Sequence, residues 1–354
     1  MLTKESLTIK RFLDKQPRGK GSLEYRKLYN FLEKKEVYDI HVKEYEEQLM
    51  NQQYTKIDST FVSKNITSSS KFKKQQNITF SVHNTNVTLL IYSNEDTSTF
   101  INEVMNVIRY TICLFDTPRK NITIQYYLLD AEKKIQKNKS YVFIGRNEIN
   151  SGSCQHQFGG NCKISIWRKE EVIKVTIHEL IHGLTSYPIE DTDNIIKHYQ
   201  NKYNIISPKI NTDETFTEVW ANIINVYLLS QKKSHTNFKL FNELLVTEKK
   251  FCEYQSQKVA SITQLLQRNT DINQETNVLA YYIIRCEIFS RLPQFLKMCR
   301  ENNKGYVHMK NQRIWFAFLK KIGNIKVNYK VSKSKLISTT MRMSSIEPKV
   351  FTDE

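Results

Sequence analysis

Glycine and proline are scarce in this chain, at 9 and 6 of 354 residues. That scarcity argues against a small all-β fold built on tight turns and favours a helix-rich architecture with some sheet. Cysteine is rare too. Its 6 copies (Cys113, Cys154, Cys162, Cys252, Cys286, Cys299) include no CxxC pair, and a disulfide framework or a zinc ribbon needs tighter spacing. No apolar run approaches the roughly 18 residues required to span a bilayer. The first residues, MLTKESLTIKRFLDK, are charged throughout and do not read as a signal peptide. Triplets such as Asn65-Ile66-Thr67 and Asn121-Ile122-Thr123 therefore read as accidents of an Asn-rich chain. A reducing, cytoplasm-like compartment is expected.

What the chain does have is enough apolar residue, 40%, to bury a sizeable core, and enough length for about two domains or lobes. Its formal charge is +17. Such a charge suits either attraction to an anionic partner, nucleic acid among them, or a solubilising charge scattered over Lys-rich helices. The basic residues are spread along the chain, and clusters such as Lys71-Phe72-Lys73-Lys74 and Lys320-Lys321 are short.

Periodicity divides the chain into three stretches. Residues 1–76 read as an N-terminal helical segment, to about residue 55, followed by a polar linker over 63–76. Residues 77–190 read as a sheet-containing lobe. Strands are expected at 78–82 and 87–92 around a turn at 83–86, at 122–129, at 141–144 and at 163–167, with a helix over 100–115 and a loop over 150–160. A helix over 170–184 closes this lobe, with Glu170 and Glu171 in its first turn. Residues 191–354 read as a helical lobe, with helices at 194–203, 214–229, 238–245, 259–266, 277–292 and 314–322. The fold class expected is α+β.

His178-Glu179-Leu180-Ile181-His182 is an HExxH sequence. On a helix the two histidines lie one turn apart on one face, so both rings reach one cation, and neutral imidazole is a good zinc ligand. Glu179 sits beside that face as the general base for water activated by the metal. Apolar flanks (Val172, Ile173, Val175, Ile177, Leu180, Ile181, Leu184) predict a buried helix, in which these polar groups need compensation. A catalytic zinc takes a third protein ligand. A third His six residues after His182 is excluded, because Pro188 stands there. The better source is Asp213-Glu214-Thr215-Phe216-Thr217-Glu218, where Glu214 and Glu218 share a helical face. Glu190, Asp191, Asp193 and His198 lie in the intervening stretch and are alternatives.

The arrangement resembles the gluzincins, the thermolysin-like zinc metallopeptidases. The resemblance implies a zincin-like fold, endopeptidase activity and zinc held by His178, His182 and Glu214, with Glu218 hydrogen-bonding a ligand ring, that of His178. Asp213 departs from the Asn common before the ligand Glu in that group. Asn150-Ser151-Gly152, the run Ile166-Trp167-Arg168-Lys169-Glu170-Glu171, Thr217-Glu218-Val219-Trp220-Ala221, Tyr281-Tyr282 and Met341-Arg342-Met343 also look like zinc peptidases encoded by large DNA viruses. That likeness spans about residues 85–347 and implies a viral protein, cytoplasmic or virion-associated.

The reaction expected is hydrolysis of a peptide bond in a protein or peptide substrate, with the strand at 163–167 pairing to extended substrate. Tyr281 or Tyr282 is the candidate proton donor or oxyanion stabiliser. Cys154, His156 and Cys162 are a weaker candidate for a second metal site. The N-terminal segment is a candidate cover for the cleft. The rival reading is a non-catalytic zincin-fold structural or virion protein, associated with nucleic acid through its basic surface.

Overall fold

The computed structural model describes residues 2–14, 21–57, 59–67, 71–116, 121–135, 144–185, 188–232, 238–265, 272, 275–325 and 332–351. Its centre is one open, mixed six-stranded sheet in the order β1-β2-β3-β4-β6-β5. The strands are β1 (Ile40–Tyr54), β2 (Lys71–Val82), β3 (Thr85–Ser93), β4 (Asn121–Tyr127), β5 (Gly152–His156) and β6 (Cys162–Ile166). β1, β2 and β3 form an antiparallel meander, β3, β4 and β6 run parallel, and β5 folds back antiparallel on β6 as the outer strand. The helices are α1 (Lys4–Asp14), α2 (Leu23–Glu33), α3 (Lys64–Thr67), α4 (Ser98–Phe115), α5 (Arg146–Ile149), α6 (Val172–Leu184), α7 (Asp193–Tyr203), α8 (Thr212–Gln231), α9 (Phe238–Ile262), α10 (Arg285–Ser290), α11 (Leu292–Asn302), α12 (Gln312–Lys321) and α13 (Lys335–Thr339). A π-helical turn, Leu279–Ile284, runs directly into α10.

Alternation decides which sheet face meets which layer. Ile78, Phe80, Val87, Leu89, Ile91, Ile122, Ile124, Tyr126, Ile164 and Ile166 are buried in the main core with α4 and α6. α4 is the crossover that a parallel β3–β4 pair requires. The other face carries a smaller cluster, Ile57, Ile66, Phe72, Tyr127, Leu129 and Trp167. Every residue of α6 except His182 is buried, as its apolar flanks predict.

Several expectations are corrected. Residues 40–54 are a strand, not a helix. Ile40-His41-Val42-Lys43-Glu44-Tyr45-Glu46-Glu47 is rich in helix formers, but pairing with β2 overrides local propensity. Lys71 to Gln76, assigned to a linker, begin β2. Residues 1–76 are therefore not a unit apart from the sheet. The stretch 150–160 contains β5, so the outer strand is β5 and the strand expected at 163–167 lies inside the sheet. Residues 238–262 form one continuous helix. The strand expected at 141–144 lies almost wholly outside the described residues. α1 packs on α9 and α2 on α9 and α11, so neither helix covers the cleft described below.

The last described stretch after α13, residues 340–351, is irregular and, Lys349 apart, buried. Side chains from the helices satisfy its backbone. Glu171 accepts from the N–H groups of Met343 (3.0 Å) and Ser344 (2.6 Å), and Glu248 from those of Ser345 (3.0 Å) and Ile346 (3.2 Å). Gln255, Tyr282 and Arg285 donate to the carbonyls of Arg342, Met341 and Met343. Unpaired backbone groups at this depth would be costly, which explains so many buried charged side chains nearby.

Candidate metal centre

α6 leaves the sheet side through Glu171, whose φ of +60° turns the chain into the helix. Glu171 pairs with Lys133 at 2.8 Å, and both are buried. Burial alone would raise its pKa, but Lys133 and Lys174 outweigh it and hold Glu171 at about 2. Glu170 and Glu171, expected in the first turn, lie just before Val172, and both meet Lys133. From there Lys174, His178 and His182 follow at four-residue intervals along one face.

α8 packs against that face and carries Glu214 and Glu218 to it. Its N-terminus is fixed by Asp191, which accepts from the Thr212 N–H at 3.2 Å and the Thr212 hydroxyl at 2.5 Å. His178 Nε2, His182 Nε2 and Glu214 Oε2 form a triangle with all three sides 3.2 Å. Zinc bound tetrahedrally by N and O at about 2.0–2.1 Å holds its ligand atoms about 3.3 Å apart. The donor set and its spacing therefore fit such an ion, and this is the one group of the kind among the described residues.

The far nitrogen of each ring is also held. His178 Nδ1 lies 2.9 Å from Glu218 Oε2, and His182 Nδ1 lies 3.4 Å from Asp213 Oδ2. A carboxylate facing Nδ1 keeps the proton there and leaves Nε2 free as a ligand. Glu218 is fully buried and is met by Lys174 Nζ at 2.6 Å, Arg285 at 3.1 Å and Asn222 at 2.9 Å. Burial pushes its pKa up, but Lys174, His178 and Arg285 outweigh burial and keep it well below the ordinary range. For His178 and His182 burial works against the charged ring, yet Glu214, Glu218 and Asp213 raise both above the usual value.

Glu179 differs. It is 7% exposed, and no hydrogen bond from a described residue reaches its carboxylate. Burial raises its pKa against the pull of His178 and His182. It borders a cleft of about 580 Å³ together with Gly152, His182, Asp213, Tyr281 and Met343. β5 forms one side of this cleft and the π-helical turn the other. The wider π turn places Tyr281 so that its hydroxyl donates to Glu214 Oε2 at 2.9 Å.

The structure thus brings together His178, Glu179, His182, Glu214, Glu218 and Tyr281. Tyr282 is corrected: it points away from the cleft, with its hydroxyl donating to the Met341 carbonyl. The alternative third ligands stand elsewhere. Asp191 caps α8, Glu190 and Asp193 are exposed, and His198 packs against Tyr199. Cys154, His156 and Cys162 do not converge as a second ligand group. Sequence reasoning missed Asp213, Lys174, Arg285 and Met343. Of these only Asp213 had a signal, an acid directly before the ligand Glu. The basic clusters do not merge into one patch: Lys71 and Lys73 are exposed on β2, Lys74 pairs with Glu47 at 3.6 Å, and Lys320-Lys321 end α12. No helix among the described residues is long and apolar enough to cross a membrane. No family model matches the chain, and no curated protein matches its sequence.

Proposed function

We propose that this protein is a zinc-dependent peptidase with a zincin-like site, in which His178, His182 and Glu214 hold the metal and Glu179 is the general base. The observation that carries the reading is the 3.2 Å triangle of ligand atoms with a carboxylate behind each ring. Three protein ligands, not four, favour catalysis over structure, because structural zinc sites are closed by a fourth. A buried Glu179 beside them, which no described residue hydrogen-bonds, points the same way, since holding zinc makes no use of it.

Zinc bound here would supply Lewis acidity, making water acidic near neutrality and polarising a carbonyl. The protein's own groups do the rest. Glu179 takes the proton from the attacking water and returns it to the departing amine. Its raised pKa suits both tasks. Glu218 and Asp213 keep the ring protons on Nδ1, so neither histidine drifts into the wrong tautomer. The Tyr281 hydroxyl would serve the developing oxyanion by turning away from Glu214 Oε2, to which it donates at 2.9 Å. β5, the outermost strand at this end of the sheet, borders the cleft where an extended peptide would lie alongside it.

The test is hydrolysis of fluorescence-quenched casein by zinc-loaded protein. Activity removed by a chelator, restored by zinc and lost in Glu179→Gln with zinc retained supports the reading. Equal activity in Glu179→Gln refutes it.

A further inference from the structure

No hydrogen bond from a described residue holds Glu179, yet a general base must keep one position through two proton transfers. Something other than polar contacts has to fix it. The candidate is Gly152, the first residue of β5. A Cβ built on Gly152 would lie 2.7 Å from Glu179 Oε1, 2.8 Å from its Cγ and 3.0 Å from its Cδ. Its φ lies outside the left-handed region that favours glycine, where Gly159, Gly160 and Gly305 are found. The backbone itself thus has no need of glycine at 152. Space does.

Neither wall can retreat from an added methyl. The strand side is anchored by the pairing of Gly152 with Ile166 and by the Trp167 N–H, which donates to the Ser151 carbonyl at 2.9 Å. Arg168 and the Trp167 indole both donate to the Asn150 carbonyl, at 2.9 and 3.1 Å. The helix side is buried between the sheet and α8, and close to β6 as well: a Cβ on Gly183 would meet Cys162 Sγ at 2.8 Å. The movable part is the Glu179 side chain.

We propose that Gly152 is a positioning residue, whose missing side chain makes the place in which the Glu179 carboxylate sits. This deepens the peptidase reading above and rests on it. In Gly152→Ala the methyl displaces a flexible side chain and leaves the metal ligands alone. Fold and zinc content are kept while the base is lost.

The probe is acetohydroxamate, a small zinc chelator whose N–H and O–H donate to a neighbouring carboxylate. Calorimetry on zinc-loaded wild type, Gly152→Ala and Glu179→Gln measures its affinity, alongside zinc per chain and casein hydrolysis. The account expects unchanged zinc in all three and affinity lower by about tenfold or more in both variants, the scale of one charge-assisted hydrogen bond. Wild-type affinity in Gly152→Ala overturns the inference, as does loss of zinc in that variant alone. If Gly152→Ala does not fold, Gly152→Ala/Glu179→Ala decides: a folded double variant shows that the contact with Glu179 is the constraint, and an unfolded one overturns the role. A wild type that binds no zinc instead brings down the peptidase reading itself, and this inference with it.

Discussion

The two ends of α6 treat buried charge in opposite ways. At its start, Glu171 is paired with Lys133 and accepts two backbone N–H groups of the irregular C-terminal stretch. Near its end, His178 Nε2, His182 Nε2 and Glu214 Oε2 crowd into a triangle of 3.2 Å, and no described residue hydrogen-bonds Glu179. The first end is the deeper: Glu171 is 1% exposed, whereas His182 and Glu214 are partly exposed at the cleft. The first arrangement is complete within the protein. On the peptidase reading proposed above, the second would be completed from outside, by a cation and a substrate. Glu218 joins the two, because it holds His178 with one oxygen while Lys174 and Arg285 meet the other, and Arg285 also donates to the Met343 carbonyl.

Variants at the two ends should therefore fail differently. The largest effect is expected for Glu179→Gln, with peptide hydrolysis down by about 10²–10⁴-fold and the thermal midpoint hardly moved. A comparable loss of stability would show that Glu179 belongs with the structural end. Glu171→Gln should do the reverse and cost about 3 kcal/mol at neutral pH. Its folded pKa of about 2 lies below the ordinary 4.5. The contribution is thus fully present above about 4.5 and lost as pH falls toward about 2. Urea unfolding of both proteins across that range should show the two curves converging; a gap that stays constant contradicts the charge argument. Glu218→Gln, at the junction, should weaken zinc binding by about 10–100-fold, read by competition with a chromophoric chelator. Asp213→Asn should have the smallest effect, under about tenfold, because its 3.4 Å contact is the longer of the two. A larger effect from Asp213 than from Glu218 would reverse that order.

The cleft end was the more legible in sequence. HExxH offers two candidate ligands and a candidate base at helical spacing, and Glu214 with Glu218 repeats that spacing on α8. The structural end left no comparable pattern. Residues 340–351 form neither helix nor strand, and their partners come from Glu171, Glu248, Gln255 and Arg285, far apart in sequence. β1 was misread for a related reason. Residues 41–49 are exposed on both faces, so no alternation of apolar and polar residues marks the strand. β5 was hidden by its composition, Gly-Ser-Cys-Gln-His, which looks like loop. Asp213 was visible but uninterpretable until His182 Nδ1 was seen beside it. Tyr281 and Tyr282 could not be separated by spacing, and only the π turn assigns one to the cleft and the other to the Met341 carbonyl.

The central claim is that the cleft end of α6 is a three-ligand zinc site. Elemental analysis of wild type and Glu214→Ala, purified in parallel, tests it most directly. The account predicts about one zinc per chain in the wild type and a sharp loss in the variant. Well-folded wild type without zinc, or a variant that keeps its full share, would contradict it.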